Sequence, residues 1–146
     1  MDALSLSPEA IAFAARIYDA ARAGQIDLFE QALPAGLPAN MINEKGDSLV
    51  MLAAYHGHSQ LVRLLISHGA DPNSLNDRGQ SPLAGAVFKN ETEVVKALLE
   101  GGADPDHGDP SAMTAIVLFK KEDRWRKLFE DAPGKGKAVA TSAPPS

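Results

Sequence analysis

The chain of 146 residues contains no cysteine, which excludes disulfides, thiol catalysis, iron–sulfur clusters and thiolate zinc sites. Aromatic residues are scarce: one Trp, two Tyr and five Phe. The 45% of hydrophobic residues is therefore built mainly from Ala, Leu, Val and Ile, which points to thin, closely packed layers. Positive charge is in the minority, with 14 Lys and Arg against 19 Asp and Glu. A nucleic-acid partner is not expected, because neutralising phosphates takes clustered Lys and Arg. No segment approaches the roughly 20 apolar residues that cross a bilayer, so no membrane partner is expected. The opening MDALSLSPEA lacks a basic region leading into an apolar core, which makes a cytoplasmic location the default expectation. What remains suffices for one domain, since a chain this long buries about two-thirds of its unfolded surface without metal or disulfide staples.

What is present is repetition. A shift of 33 residues superposes Gly36, Gly69 and Gly102, and likewise Ala20, Ala53 and Ala86. The same shift aligns Asn40 with Asn73 and Asp106, Gly46 with Gly79, Ser48 with Ser81 and Thr114, and Val50 with Leu83 and Ile116. LVRLLISHGADPN (61–73) and VVKALLEGGADPD (94–106) show the register directly. Each unit reads as two short helices and a turn. Ser48 caps a helix to about Tyr55, ended by Gly57, and a second helix runs from about Ser59 to Ser67 before Gly69. In the next unit Ser81 is the cap and Pro82 the first helical residue, with helices near 82–88 and 92–100. Asp-Pro at 71–72 and 104–105, with Asn73 and Gly79, builds extended turns. Ahead of the repeats, Ser7-Pro8-Glu9 opens an Ala-rich helix to about Ala23. Its apolar face of Ile11, Phe13, Ala14, Ile17 and Tyr18 is expected to cover the end of the stack.

The 33-residue period with G-x-[ST]-P-L and G-A-D-x-N resembles the ankyrin repeat, over about residues 16–130. GDSLVMLAAYHGH and GQSPLAGAVF carry the resemblance most closely, and MLAAYHGH and LNDRGQSPLAGAVFK make the chain similar to small stand-alone ankyrin proteins of bacteria. The resemblance implies an all-α solenoid of stacked helix–turn–helix pairs with extended finger-like turns. Residues 1–130 then form the domain: 1–42 an N-terminal helix and cap repeat, 43–75 and 76–108 full repeats, 109–130 a C-terminal cap. DAPGKGKAVATSAPPS (131–146) reads as a disordered tail. The family's histidine after T-P-L is replaced by Met51 and Ala84, so the network it usually ties between repeats should be weaker. Gly85 lies mid-helix, at a cost of about 1 kcal/mol relative to Ala, and leaves room for a neighbouring helix.

Several motifs suggest chemistry and are better explained by the repeat. Gly46-Asp47-Ser48-Leu49 resembles the nucleophile block of GDSL esterases, and Asp104 to His107 fits that family's D-x-x-H. Yet Ser48 sits at the repeating cap position, and the strand–helix alternation of that fold is missing. His56 and His58 are two apart and point to different helix faces, while His68 and His107 fall in turns, so no metal site is expected. No glycine set forms a phosphate-cradling loop, and no cofactor is expected. Lys120, Lys121, Arg124, Arg126 and Lys127 surround Trp125; they read as the solvated face of a last helix that buries Trp125, Leu128 and Phe129, rather than as an RNA contact.

Function is expected at positions the repeat leaves free. The resemblance places Glu44, Lys45, Asp47, Tyr55 and His56 of one unit on a concave partner-binding surface, with Asp77, Arg78, Gln80, Phe88 and Lys89 of the next. Tyr55 and Phe88 should stack as an aromatic ladder, continued by Arg22 before and Lys121 after. Aromatic anchors with charged rims are the composition of protein-binding hot spots. The expectation is a non-catalytic, monomeric module that binds another protein. Ten Asp and Glu against five Lys and Arg in 43–118 suggest a partner with some basic surface. An inhibitor-like or immunity-like role, and an accessory role beside a stress-defence enzyme, are alternatives within that reading; a GDSL-type esterase is the remote one.

Overall fold

Four serines set the helix starts. Ser7, Ser48, Ser81 and Ser111 each hold an extended backbone, and each hydroxyl accepts from the amide three residues on. Such caps satisfy one of the orphan donors of a short helix, for about 1 kcal/mol apiece. The computed structural model describes residues 7–138. It is an all-helical solenoid of eight helices among those residues: α1 (Pro8–Ala23), α2 (Ile26–Ala32), α3 (Leu49–Tyr55), α4 (Ser59–Ser67), α5 (Pro82–Phe88), α6 (Thr92–Glu100), α7 (Ala112–Leu118) and α8 (Glu122–Glu130). No helix among them is long and apolar enough to cross a membrane.

Packing follows the repeat. Helices α1, α3, α5 and α7 lie side by side as one layer, α2, α4 and α6 as a second, and α8 packs on α7. Ala20, Ala53 and Ala86 are buried at equivalent points of the first layer, where a larger side chain would hold the helices apart. Leu61, Val62 and Leu65 of α4 are matched by Val94, Val95 and Leu98 of α6, with Phe29 and Phe129 filling the outer positions. A polar ladder runs beside this core. Asn40 donates to Gly69 O (3.0 Å) and accepts from Asp71 N (2.7 Å); one repeat on, Asn73 donates to Gly102 O (3.2 Å) and accepts from Asp104 N (2.7 Å). Each asparagine thus satisfies two backbone groups of the following unit.

The structure corrects the sequence at four places. The last cap is Ser111, not Thr114, because the turn before α7 is three residues shorter: Ser81 follows Ser48 by 33 positions, Ser111 follows Ser81 by 30. On α1, Ile17 is buried and Tyr18 half-buried, but Ile11 and Phe13 stay exposed because only the C-terminal half of the helix meets the stack. On α8, Trp125 and Phe129 are buried, whereas Leu128 is exposed. Residues 131–138 are not a loose tail: the amides of Gly136 and Ala138 donate to the buried Asp104 carboxylate (2.7 and 2.9 Å), and Lys135 pairs with Asp106 at 2.9 Å. Gly134 permits this, since a Cβ there would lie 2.1 Å from Gly102 O. The rest of the expected tail, 139–146, lies outside the described residues.

Candidate functional site

The fingers are built by asparagine. Asn43 Oδ1 accepts from Lys45 N and Asp47 N, and Asn76 Oδ1 from Arg78 N and Gln80 N, all at 3.0 Å. This replaces helix or sheet bonding with a side-chain acceptor and fixes a tight turn. The two fingers are then joined: Asp77 N donates to Lys45 O (3.0 Å), and Asn76 Nδ2 donates to Asp47 Oδ1 (2.9 Å) and Gln80 Oε1 (2.8 Å). Gly46 has φ 78, and a Cβ there would come within 2.9 Å of the Asp77 amide, so the finger contact requires glycine. The third finger joins the second through Asp109 N to Gly79 O at 2.9 Å.

Between the first two fingers and the ends of α1 and α3 lies a polar hollow of about 590 Å³. Arg22, Glu44, Lys45, Asp47, Tyr55, His56, Asp77, Arg78 and Gln80 line it. Asp47 is half-buried and committed to Asn76; the other expected finger residues are exposed. Tyr18 fastens α1 to the first finger through its hydroxyl, which donates to Ile42 O at 2.5 Å. Burial, and then the Glu44 charge, hold that phenol above its ordinary pKa. The His56 imidazole is pushed below its ordinary value by desolvation, then by His58, Lys89 and Arg22. His58 Nε2 donates to the Arg22 carbonyl at 2.7 Å, which seats the second helix pair against the first.

A second, apolar hollow of about 290 Å³ lies between α5 and α7. Its floor is Ala84, Gly85 and the buried Ala115; Tyr55, Pro82, Phe88, Pro110 and Phe119 stand round it. The floor is low because Ala84-Gly85 replaces the Met51-Leu52 of the unit before. Gly85 does not admit a neighbouring helix: a Cβ there would meet only Tyr55 Cδ1, at 3.7 Å. Tyr55 and Phe88 are 44% and 56% exposed, so neither is a core residue. The stacked rings are not those two. Phe88 pairs edge-on with Phe119 (5.6 Å), while Tyr55 meets His56 (5.6 Å) and carries Lys89 Nζ 4.8 Å from its centroid.

Lys121 does not continue the row. With the shorter last turn, Leu118 is the counterpart of Phe88, and Lys121 Nζ instead donates to Val87 O and Asn90 Oδ1, both at 2.8 Å. Phe119 is the residue the 33-residue register missed. The signal for it was the chain punctuation: left-handed residues after the first helices fall at Gly24, Gly57, Asn90 and Lys120, and the last step is 30. The basic residues of α8 are held internally, Arg124 over the Trp125 ring (4.6 Å) and against Thr92, and Arg126 against Glu122 and Glu130.

The motifs with a catalytic look are placed otherwise. Ser48 is buried, and its hydroxyl accepts from Met51 N at 3.1 Å. Among the described residues no three His, Asp or Glu side chains are gathered so as to hold a metal ion.

Comparison with known proteins agrees with this geometry. A family model described as ankyrin repeats, in three copies, matches residues 17–109. An ankyrin repeat protein of Pseudomonas aeruginosa is 51% identical over 59 residues, covering 40% of this chain and 34% of the relative, so the match spans about a third of that protein. The crystal structure of the human ASB11 ankyrin repeat domain superposes with a TM-score of 0.58 at 25% identity, over 68% of this chain and 42% of that one. Ankyrin repeats are in general modules that bind other proteins, and the repeated register, the stacked helix pairs and the match over residues 17–109 together show that this chain belongs to the ankyrin repeat family.

Proposed function

We propose that the chain is a monomeric scaffold that binds another protein through its concave groove and finger tips, and does no chemistry of its own. The observation that carries this reading is the apolar hollow, where Tyr55, Phe88 and Phe119 leave their rings at the surface. Exposed aromatics grouped round a concavity, beside a charged and hydrogen-bonded finger surface, supply the anchor and rim of a binding site. The fingers are already ordered by their own hydrogen bonds, so little freedom remains to be lost when a partner docks. Glu44, Lys45, His56, Asp77, Arg78, Gln80 and Lys89 form the rim in this reading, while Asp47 acts through the finger it holds.

The test is the double variant Tyr55→Ala/Phe88→Ala. Helix content and melting should stay close to those of the parent chain, while recovery of partner proteins in a quantitative pull-down from the native host falls by about ten-fold or more. Unchanged recovery would remove the groove from the mechanism. Loss of the fold would make both rings structural.

A further inference from the structure

Resting on the groove reading, we infer that the apolar hollow receives one bulky apolar side chain of a partner segment whose flanking residues are acidic. Size and lining come first. At about 290 Å³ the hollow lies at the small end of ligand sites, which run to roughly 300–1,000 Å³, and it suits a side chain more than an enclosed metabolite. Its polar lining is mostly spent: Ser81 Oγ accepts from Ala84 N, and Gln80 Oε1 accepts from Asn76. The Tyr55 hydroxyl and the Gln80 side-chain nitrogen remain for polar groups at the edge, and the rest of the hollow selects by apolar contact and shape.

Charge then chooses the flanks. Lys89 Nζ stands 4.8 Å from the Tyr55 ring and Lys121 Nζ 5.9 Å from the Phe119 ring, with the exposed Lys120 beside them. None of these three lysines forms an ion pair among the described residues; Lys45 and Arg78 on the fingers form none either. Lys121 is occupied by the end of α5, which leaves Lys89 and Lys120 to face a partner. The overall acidity of the chain does not decide the matter. Screening reduces charge effects beyond about 8 Å at physiological salt, and of the carboxylates that follow Lys89 and Lys120 by two residues, Glu122 is paired with Arg126 and Glu91 lies against Gly57. The finger side carries the acidic Asp109, bonded through its amide to Gly79, so the acidic flank should run toward the helix ends rather than the fingers. Carboxylates there would also steer the encounter and fix its direction.

The test uses short fluorescent peptides with a central Leu or Phe and flanks of Glu, Ser or Lys, read by anisotropy against the full chain. The expected result is that Glu-flanked peptides bind about ten-fold or more tighter than Lys-flanked ones at low salt, and less so as salt rises. Lys89→Glu/Lys120→Glu should reverse that order, and Phe88→Ala/Phe119→Ala should abolish binding of every peptide. The lysine pair is exposed, so its variant remains informative should the aromatic pair disturb folding, which circular dichroism checks. Lys-flanked peptides binding as well as Glu-flanked ones, or an order untouched by the lysine variant, overturns the inference; continued sensitivity to the aromatic variant would then leave the groove reading standing. Binding indifferent to both variants overturns the two together. Undetectable binding of all peptides, or self-association through the same aromatics in sedimentation, also overturns the named occupant.

Discussion

The two hollows of the groove share Met51, Tyr55 and Gln80 and differ in how their walls are held. The polar hollow is walled by fingers that bond to themselves and to each other, through Asn43, Asn76, Asp47 and the Lys45 carbonyl. The apolar hollow owes its shape to subtraction, with Ala84 and Gly85 where the preceding unit carries Met51 and Leu52. One surface is made rigid by side chains added to a loop, the other made concave by side chains removed from a helix. The difference teaches that a repeat can vary its binding face without disturbing its stack, provided the changes fall on the exposed edge of the first helix or the finger tip.

Three changes would break or sharpen this contrast. The largest effect on stability is expected from Asn76→Ala, which deprives two backbone amides of their acceptor and two side chains of their donor. Unfolding in urea should show a loss of about 2–3 kcal/mol, while the resonances of Phe88 and Phe119 hold their positions. A loss confined to a few tenths would mean the fingers are not held as described. Next comes Ala84→Met/Gly85→Leu, which gives the third unit the floor of the second. Affinity for any ligand of the apolar hollow should fall about ten-fold, or 1.4 kcal/mol, whereas stability should hold or rise by up to about 1 kcal/mol as glycine leaves a helix. Undiminished affinity would show that the hollow is not where ligands dock. The smallest effect belongs to His56. Its folded pKa lies below the ordinary 6.5, so between those two values the unfolded chain binds more protons. The neutral ring is fully compatible with the fold above about pH 6.5, and stability falls as pH drops through the folded value. His56→Gln should flatten that slope slightly, measured as the difference between urea midpoints of the two proteins at neutral and mildly acidic pH; a steeper slope would mean that His56 gains rather than loses protons on folding.

Much of this is legible in the sequence. Serine caps, glycine stops and a fixed offset fixed the bounds of α3 to α6, because the turns between those units are equal in length and each boundary residue acts locally. The reading slipped where a local rule met a non-local one. A finger shortened by three residues moved Ser111 into the cap position and Phe119 into the hollow, and the Asn90 and Lys120 that mark the register carry no glycine to reveal it. Whether a helix face is covered is likewise a property of the stack, so the hydrophobic spacing of α1 did not distinguish buried Ile17 from exposed Ile11 and Phe13. Nor does composition show that Gly134-Lys135-Gly136 fits against a carboxylate some thirty residues earlier.

The asparagine ladder makes the solenoid directional. A repeat array lengthens by presenting each new unit to the ladder residue of the one before, much as a polymer adds monomer at a live end. The position that follows Asn40 and Asn73 in phase is Asp106, which has no amide hydrogens to donate from its side chain and pairs with Lys135 instead. The amide-bearing rung is replaced at this unit by an ion pair. An engineer seeking a longer groove should splice a copy of residues 43–75 in after Leu75, where the Asn40 and Asn73 rungs repeat in phase, and leave the contacts of residues 134–138 with Asp104 and Asp106 undisturbed.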